Sequence, residues 1–349
     1  MILKNKMFTK TFRQLSKSDI SIAGGKGASL GEMARAKIPI PPGFVILVSA
    51  FDRFLAETDL IVEIASQLKK INFKDINSVE QSSNIIRDLI QDTSIPQDLR
   101  KEFLEGFKKL KTKYVAVRSS ATAEDSSVAS WAGELESYLN TTQTNLLENI
   151  KKCWSSLFTP RALFYAFEKR LIIINHQKKV RAKTCKKLTD CYPVGVAVVV
   201  QKMIQSEVSG ICFTAHPVTK DKNQMVIEAG YGLGEAIVGG KITPDTYVIE
   251  KLKSQNSNLK TQKQKLNFKI IDKNISKQEM MIVKKGKETK EVKVSKEKQE
   301  KQKLTDKQIL KLAQLCQKIE NYYNSPQDIE WCLEKGRFYI VQSRPITTL

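Results

Sequence analysis

Apolar positions along the chain fall first into helical and then into strand-like periods. After Gly24-Gly25-Lys26-Gly27, the residues Leu30, Met33 and Ala34 recur at helical spacing, and Pro39, Pro41 and Pro42 end the run. The pattern predicts a loop feeding a helix. Phe44 to Val48 reads as a short strand, Ser49 as an N-cap, and helical patterns follow over Thr58 to Leu68, Ser78 to Ile90 and Pro96 to Leu110. Tyr114 to Val117 reads as a buried strand that ends in Arg118-Ser119-Ser120. A polar loop from Ala121 to Ser130 then leads to Trp131-Ala132-Gly133.

Two amphipathic helices are expected over Asn145 to Phe158 and Pro160 to Leu171, the second with proline in its first turn, where the missing N–H costs nothing. Near Tyr192-Pro193 the period changes. Val194 to Met203, Val208 to Thr214 and Met225 to Ala229 are β-rich runs separated by turn residues, and Gly230-Tyr231-Gly232-Leu233-Gly234 follows them. Asp306 to Tyr323 returns to helical spacing, with Leu310, Ala313, Leu315, Cys316 and Ile319 on one broad face. A closing hairpin is expected from Asp328 to Leu333, a turn at Glu334-Lys335-Gly336, and Arg337 to Ser343. The period switch divides the chain into lobes 1–192 and 193–349, with no internal repeat.

At 349 residues and 41% apolar content the chain can bury a substantial core. The longest aliphatic stretches, Leu171 to Ile174 and Val194 to Val200, are too short to span a bilayer, and Met1 to Phe12 lacks an apolar signal region, so a soluble cytoplasmic protein is expected. The six cysteines show no paired CxxC spacing, which favours free thiols; Cys185 and Cys191 flank a basic stretch, with no histidine or third cysteine nearby in sequence to complete a metal set. The net charge of +21 raises a nucleic-acid reading. Its distribution argues against one. The segment 251–303 holds 17 lysines, no arginine and 6 acidic residues, about half of the excess charge. It has Phe268 alone for base stacking and no guanidinium for bidentate base contacts. It reads as a solvated, lysine-rich hairpin region.

Binding a nucleoside triphosphate requires donors and cations around the phosphates and oxygen ligands for Mg²⁺. Gly25 and Gly27 allow close backbone approach at a helix entrance, and Lys26 adds a charge. The segment does not match the GxxxxGK[ST] loop, so a purely structural role stands beside a phosphate role. Arg118 suits either a phosphate clamp or a salt bridge to Glu124 or Asp125. In Asp328-Ile329-Glu330-Trp331, strand alternation puts both carboxylates on one face, and Gln342 and Arg344 likewise share a face of the partner strand. Such a cluster fits Mg²⁺ and phosphates, or is the polar face of an ordinary hairpin. His176 lies in a polar stretch, and His216, before Pro217, is either a turn residue or a phosphate contact.

Taken in order, the segments GGKGASLGEM, PIPPGFVI, VAVRSSATAEDSSVASWAGELESYLN, CWSSLFTPRALFYAF, VVVQKM, SGICFTAHPVT, GYGLGEAIVGGKITPDTYVI, SPQDIEW and VQSRPIT resemble the nucleotide-binding domain of phosphoenolpyruvate synthase (pyruvate, water dikinase), pyruvate phosphate dikinase and rifampin phosphotransferase. The resemblance runs almost end to end. It implies an α+β, ATP-grasp fold of two lobes with ATP between them and Mg²⁺ as cofactor. Lys26, Arg118 and Arg344 would act on the phosphates, as catalytic residues and as ligands. Gly133 would lie in a loop over the phosphates, Ser137 and Gln342 would join the nucleotide contacts, and Gln201 would approach the adenine. Glu330 would hold Mg²⁺ with Asp328 beside it.

In these families the domain phosphorylates a histidine on a separate swinging domain, on the route from pyruvate, ATP and water to phosphoenolpyruvate, AMP and phosphate. The chain stops after Arg344-Pro345-Ile346-Thr347, where a linker to that domain is expected. A phosphohistidine domain on a separate chain or in a missing C-terminal region is therefore the expected partner. Glu134 stands where glutamine is usual, and Ala166 where arginine often follows the Tyr165 position. Rifampin-phosphotransferase-like and glucan-dikinase-like modules, and an ATP-binding regulator that transfers nothing, are the alternative readings.

Overall fold

A computed structural model describes residues 7–123, 136–169, 192, 194–252, 267–286 and 288–346. Gly133, Glu134, Glu124, Asp125, His176, Cys185 and Cys191 lie outside them. The chain divides into two compact α+β units, one of Met1–Arg35 with Pro42–Met203, the other of Ala36–Pro41 with Ile204–Leu349.

The first unit contains β1 (Thr9–Thr11), α1 (Ile20–Arg35), β2 (Gly43–Ile46), α2 (Val48–Glu57), α3 (Leu60–Lys70), α4 (Ile76–Asp92), α5 (Gln97–Lys109), β3 (Val115–Ala121), β4 (Ser137–Thr141), α6 (Leu146–Ser155), α7 (Pro160–Glu168) and β5 (Val196–Lys202). Its strands form an antiparallel sheet in the order β1-β2-β5-β3-β4. Val115 and Val117 of β3, and Val196, Val198 and Val200 of β5, enter one apolar core with residues of α2 to α7. Trp154 anchors it, its ring 5.1 Å from those of both Phe51 and Phe54 and edge-on to Phe103, a geometry suited to the aromatic quadrupole. Alternation sends the other side chains of these strands to the opposite face, where α1 lies.

Three local expectations are corrected here. Ser49 does not cap α2. Leu47 occupies the N-cap position without a side-chain bond, because its N–H donates to Phe8 C=O (2.9 Å) and the chain turns into the helix straight from the sheet. Arg118 does not end its strand, since β3 pairs with β5 as far as Ala121. And β5, expected to open the second lobe after Tyr192-Pro193, pairs with β2 and β3, so the compact units part at Met203 and Ile204.

The second unit contains β6 (Val208–Phe213), β7 (Gln224–Tyr231), α8 (Glu235–Val238), β8 (Asp245–Leu252), β9 (Asn267–Asn274), β10 (Met280–Lys285), β11 (Glu288–Lys293), α9 (Lys296–Gln299), α10 (Asp306–Tyr323), β12 (Gln327–Glu334) and β13 (Arg337–Pro345). Among the described residues its main sheet has the antiparallel order β13-β12-β6-β7-β8-β9, and β10 and β11 pair as a separate hairpin. Thr305 and Gln308 form a capping box that starts α10. The helix buries Ile309, Leu312, Ala313, Cys316 and Ile319 against the sheet face that carries Cys212, Ile227, Tyr247 and Ile329. Ala36–Pro41 belong with this unit, and Ile340 N–H donates to Pro39 C=O (2.8 Å).

The lysine-rich segment is only partly a solvated flank. Its first and last residues are buried, Lys251 bonded to Glu320 (2.7 Å) and Lys303 to Asp245 (2.7 Å), and β9 extends the main sheet. β11 is largely exposed, as expected of the hairpin. Cys153, Cys212, Cys316 and Cys332 are buried free thiols. Among the described residues no helix is long and apolar enough to cross a membrane.

Candidate functional site

In the first unit the glycine-rich entrance is fixed by one backbone exception. Gly24 adopts φ 68° and ψ 173°, interrupting the helical path so that the regular helix proceeds from Gly25. A β-carbon there would stand 2.2 Å from Ser120 C=O, so only glycine lets the chain pass β3 at this distance. Ser120 Oγ then accepts from Gly27 N–H (3.1 Å) and donates to Ala23 C=O (2.9 Å), tying the first turn to the strand. Lys26 sits in that turn, half-buried.

Strand register places the other expected residues on the same face. Arg118 shares its face of β3 with Ser120; it stands opposite Ser137 on β4 and Val199 on β5, and Gln201 stands opposite Ala116. Residues directly opposite in an antiparallel ladder lie on one face, so Arg118, Ser137 and Gln201 are brought to the side where α1 packs. Arg118 and Gln201 are buried, whereas Ser137 is exposed. A buried guanidinium beside a lysine-bearing helix entrance is a setting that favours an anion.

In the second unit β12 and β13 pair the expected residues across the ladder, Asp328 opposite Arg344 and Glu330 opposite Gln342. Arg344 donates from Nε (2.9 Å) and Nη2 (2.8 Å) to Asp328 Oδ2. Ile329 and Trp331 are buried on the other face, as alternation requires. Sequence reasoning missed one member of the row. Glu330 stands opposite Ile211 on β6, and Ile211 opposite Glu228 on β7, so Glu228 shares the face with both acids. The available signal was a carboxylate inside the apolar run Met225 to Ala229.

The electrostatics of this face favour a cation. Burial raises the Asp328 carboxyl above the usual range; the Arg344 charge and hydrogen bond oppose the rise, and Glu330 adds to it. Glu228 is raised in turn, by burial first and then by the charge on Asp328. Hard oxygen donors of this kind suit Mg²⁺, which is generally held by one or two carboxylates together with nucleotide phosphates, so no third protein ligand is needed. Among the described residues no group of three or more His, Cys, Asp or Glu is placed to hold a metal.

Two other residues take structural places. His216 Nδ1 accepts from the N–H groups of Val218 and Thr219 (both 3.2 Å), which makes it a turn residue. Ala166 is fully buried in the core of the first unit.

Comparison with known proteins fits this arrangement. Residues 20–349 match the family model of the pyruvate phosphate dikinase AMP/ATP-binding domain. The chain is 41% identical over 344 residues to a probable phosphoenolpyruvate synthase of Methanocaldococcus jannaschii, covering 96% of this chain and 26% of that protein. It is 42% identical over 341 residues to a probable phosphoenolpyruvate synthase of Archaeoglobus fulgidus, covering 96% of this chain and 41% of the relative. The rifampicin phosphotransferase of Bacillus subtilis is 35% identical over 342 residues, 96% of this chain and 35% of that protein. The chain therefore spans less than half the length of these relatives. Its match over nearly all its residues shows that it belongs to the pyruvate phosphate dikinase AMP/ATP-binding domain family.

Proposed function

We propose that the chain is the ATP-binding, phosphorylating module of a phosphoenolpyruvate-synthase-type dikinase with an ATP-grasp fold. The observation that carries this reading is the ladder of Asp328 against Arg344 and Glu330 against Gln342, two acids, an amide and a guanidinium on one sheet face. Lys26, Arg118 and Arg344 offset phosphate charge, Ser137 and Gln342 hydrogen-bond the nucleotide, Gln201 meets the adenine, and Gly133, outside the described residues, is a further nucleotide-binding residue. Asp328 and Glu330 would hold Mg²⁺, which offsets further charge on the phosphates when bound. The phosphoryl acceptor is a histidine on another domain or chain, on the route from pyruvate, ATP and water to phosphoenolpyruvate, AMP and phosphate. The likeness to rifampicin phosphotransferase supports a second acceptor chemistry for the same module.

Glu330→Gln keeps the size and hydrogen bonding of the side chain and removes its charge. It is expected to weaken MgATP binding about 10-fold, roughly 1.4 kcal/mol, and to change metal-free ATP binding by less than about 2-fold, because a metal ligand acts through the cation. Calorimetric titrations with and without Mg²⁺ check this. Equal losses in both would assign Glu330 a structural role.

A further inference from the structure

Behind the acid-bearing face lies a buried polar cluster that none of the roles above uses. Gln327 is 1% exposed and Ser343 3% exposed, and each immediately precedes a member of the Asp328–Arg344 pair. Ser343 Oγ donates to Gln327 Oε1 (2.9 Å). The amide Nε2 of Gln327 faces Ser325 Oγ (2.9 Å), Ser325 C=O (3.1 Å) and Pro326 C=O (3.3 Å), gathering in the connection between α10 and β12. Its backbone is held as closely: the N–H donates to Thr214 Oγ1 (2.8 Å) and the C=O accepts from Thr214 N–H (2.9 Å).

The hairpin register explains what this cluster can do. From Gln327 to Glu330 the strands pair as Gln327 with Pro345 through Glu330 with Gln342, but beyond Glu330 the register shifts, Trp331 pairing with Ile340, so Val341 is an extra residue. A bulge of this kind uncouples the pairing on its two sides. The register set by the tight turn at Lys335-Gly336 therefore does not by itself dictate which residue faces Asp328. Because β12 is held to β6 on its other side, a slip of one residue in the edge strand β13 would turn Gln342 and Arg344 to the buried face and leave Asp328 without its guanidinium. The diagonal bond from Ser343 to Gln327 spans the ladder on the site side of the bulge and fixes that register from behind.

We infer that Gln327, acting with Ser343, is a positioning residue that holds Arg344 and Gln342 in register against Asp328 and Glu330 for metal-dependent nucleotide binding. The inference rests on the reading that these two acids hold Mg²⁺. Gln327→Met removes the amide at similar volume, and Ser343→Ala removes one hydroxyl from the other end of the bond. Both variants of the full chain are to be titrated with ATP with and without Mg²⁺, after circular dichroism and thermal unfolding establish that they fold.

The expected result is that each folded variant loses about 10-fold in MgATP affinity and only about 3-fold in metal-free ATP affinity, because the displaced Arg344 weakens phosphate contact in both cases and also leaves Asp328 without its partner beside the metal. The double variant should lose no more than the larger single, since both act through one bond. If Gln327→Met does not fold, Ser343→Ala decides. Folded variants that retain the full Mg²⁺ gain, or lose affinity equally with and without Mg²⁺, overturn the positioning role alone. A wild-type chain with no Mg²⁺ gain overturns the reading beneath it as well.

Discussion

Replacing Lys303 with methionine is expected to destabilise the second unit by about 3 to 5 kcal/mol, the cost of leaving a buried charge without its partner. Lys303 Nζ lies 2.7 Å from Asp245 Oδ1, and both side chains are fully buried. Asp245 also accepts from Ser276 N–H (3.0 Å), Lys303 N–H (2.9 Å) and Tyr247 O–H (2.8 Å), while Lys303 Nζ bonds Ser276 C=O and sits 5.6 Å over the Tyr231 ring. Three donors remain on the carboxylate after the substitution, so the loss should fall toward the lower end of that range. Adding Asp245→Asn removes the orphaned charge and should recover part of the stability. Denaturant unfolding of the single and double variants measures both. If Lys303→Met costs under about 1 kcal/mol, or the double is no better than the single, the buried pair does not hold this unit together.

Gly24→Ala is expected to produce the largest loss of nucleotide affinity from a single added methyl. The residue is left-handed at φ 68°, which costs a non-glycine roughly 1 to 3 kcal/mol, and its new β-carbon would lie 2.2 Å from Ser120 C=O and 2.3 Å from Ser120 Oγ. Those contacts force the turn carrying Lys26 away from β3 and break the Ser120 bond to Gly27 N–H. ATP affinity should fall more than 10-fold both with and without Mg²⁺, since in the proposed function Lys26 would meet phosphate without the metal. Gly240 is the control, also left-handed at φ 64° but with open space around it. Gly240→Ala should show the backbone cost alone and keep affinity. Should the two variants behave alike in binding and stability, close packing at Gly24 has no part in the site.

How much of this could be read from the chain depended on whether the determinant was local. The limits of α10 at Asp306 and Tyr323 follow from apolar spacing, and the closing hairpin from its two alternating runs and the glycine turn between them. Asp328, Glu330, Gln342 and Arg344 were legible as one face because alternation is a property of two adjacent strands. Glu228 was not, because it joins that row through β6, and the order β12-β6-β7 is a matter of tertiary pairing. The same reason hid the place of β5: its run of valines predicts a buried strand but does not say which sheet buries it. Ser49 failed as a cap because a tertiary bond from Leu47 to Phe8 sets where α2 begins. The bulge at Val341 left no mark in composition, and it separates a register readable from the turn from the register the acids need.

The most direct test of the account is calorimetric titration of the intact chain with ATP, with and without Mg²⁺. The account predicts one saturable site per chain, tightened by Mg²⁺ at least about 10-fold, or roughly 1.4 kcal/mol, because Asp328 and Glu330 would hold a cation that offsets the phosphate charge. Absence of ATP binding, or an affinity indifferent to Mg²⁺, would contradict it.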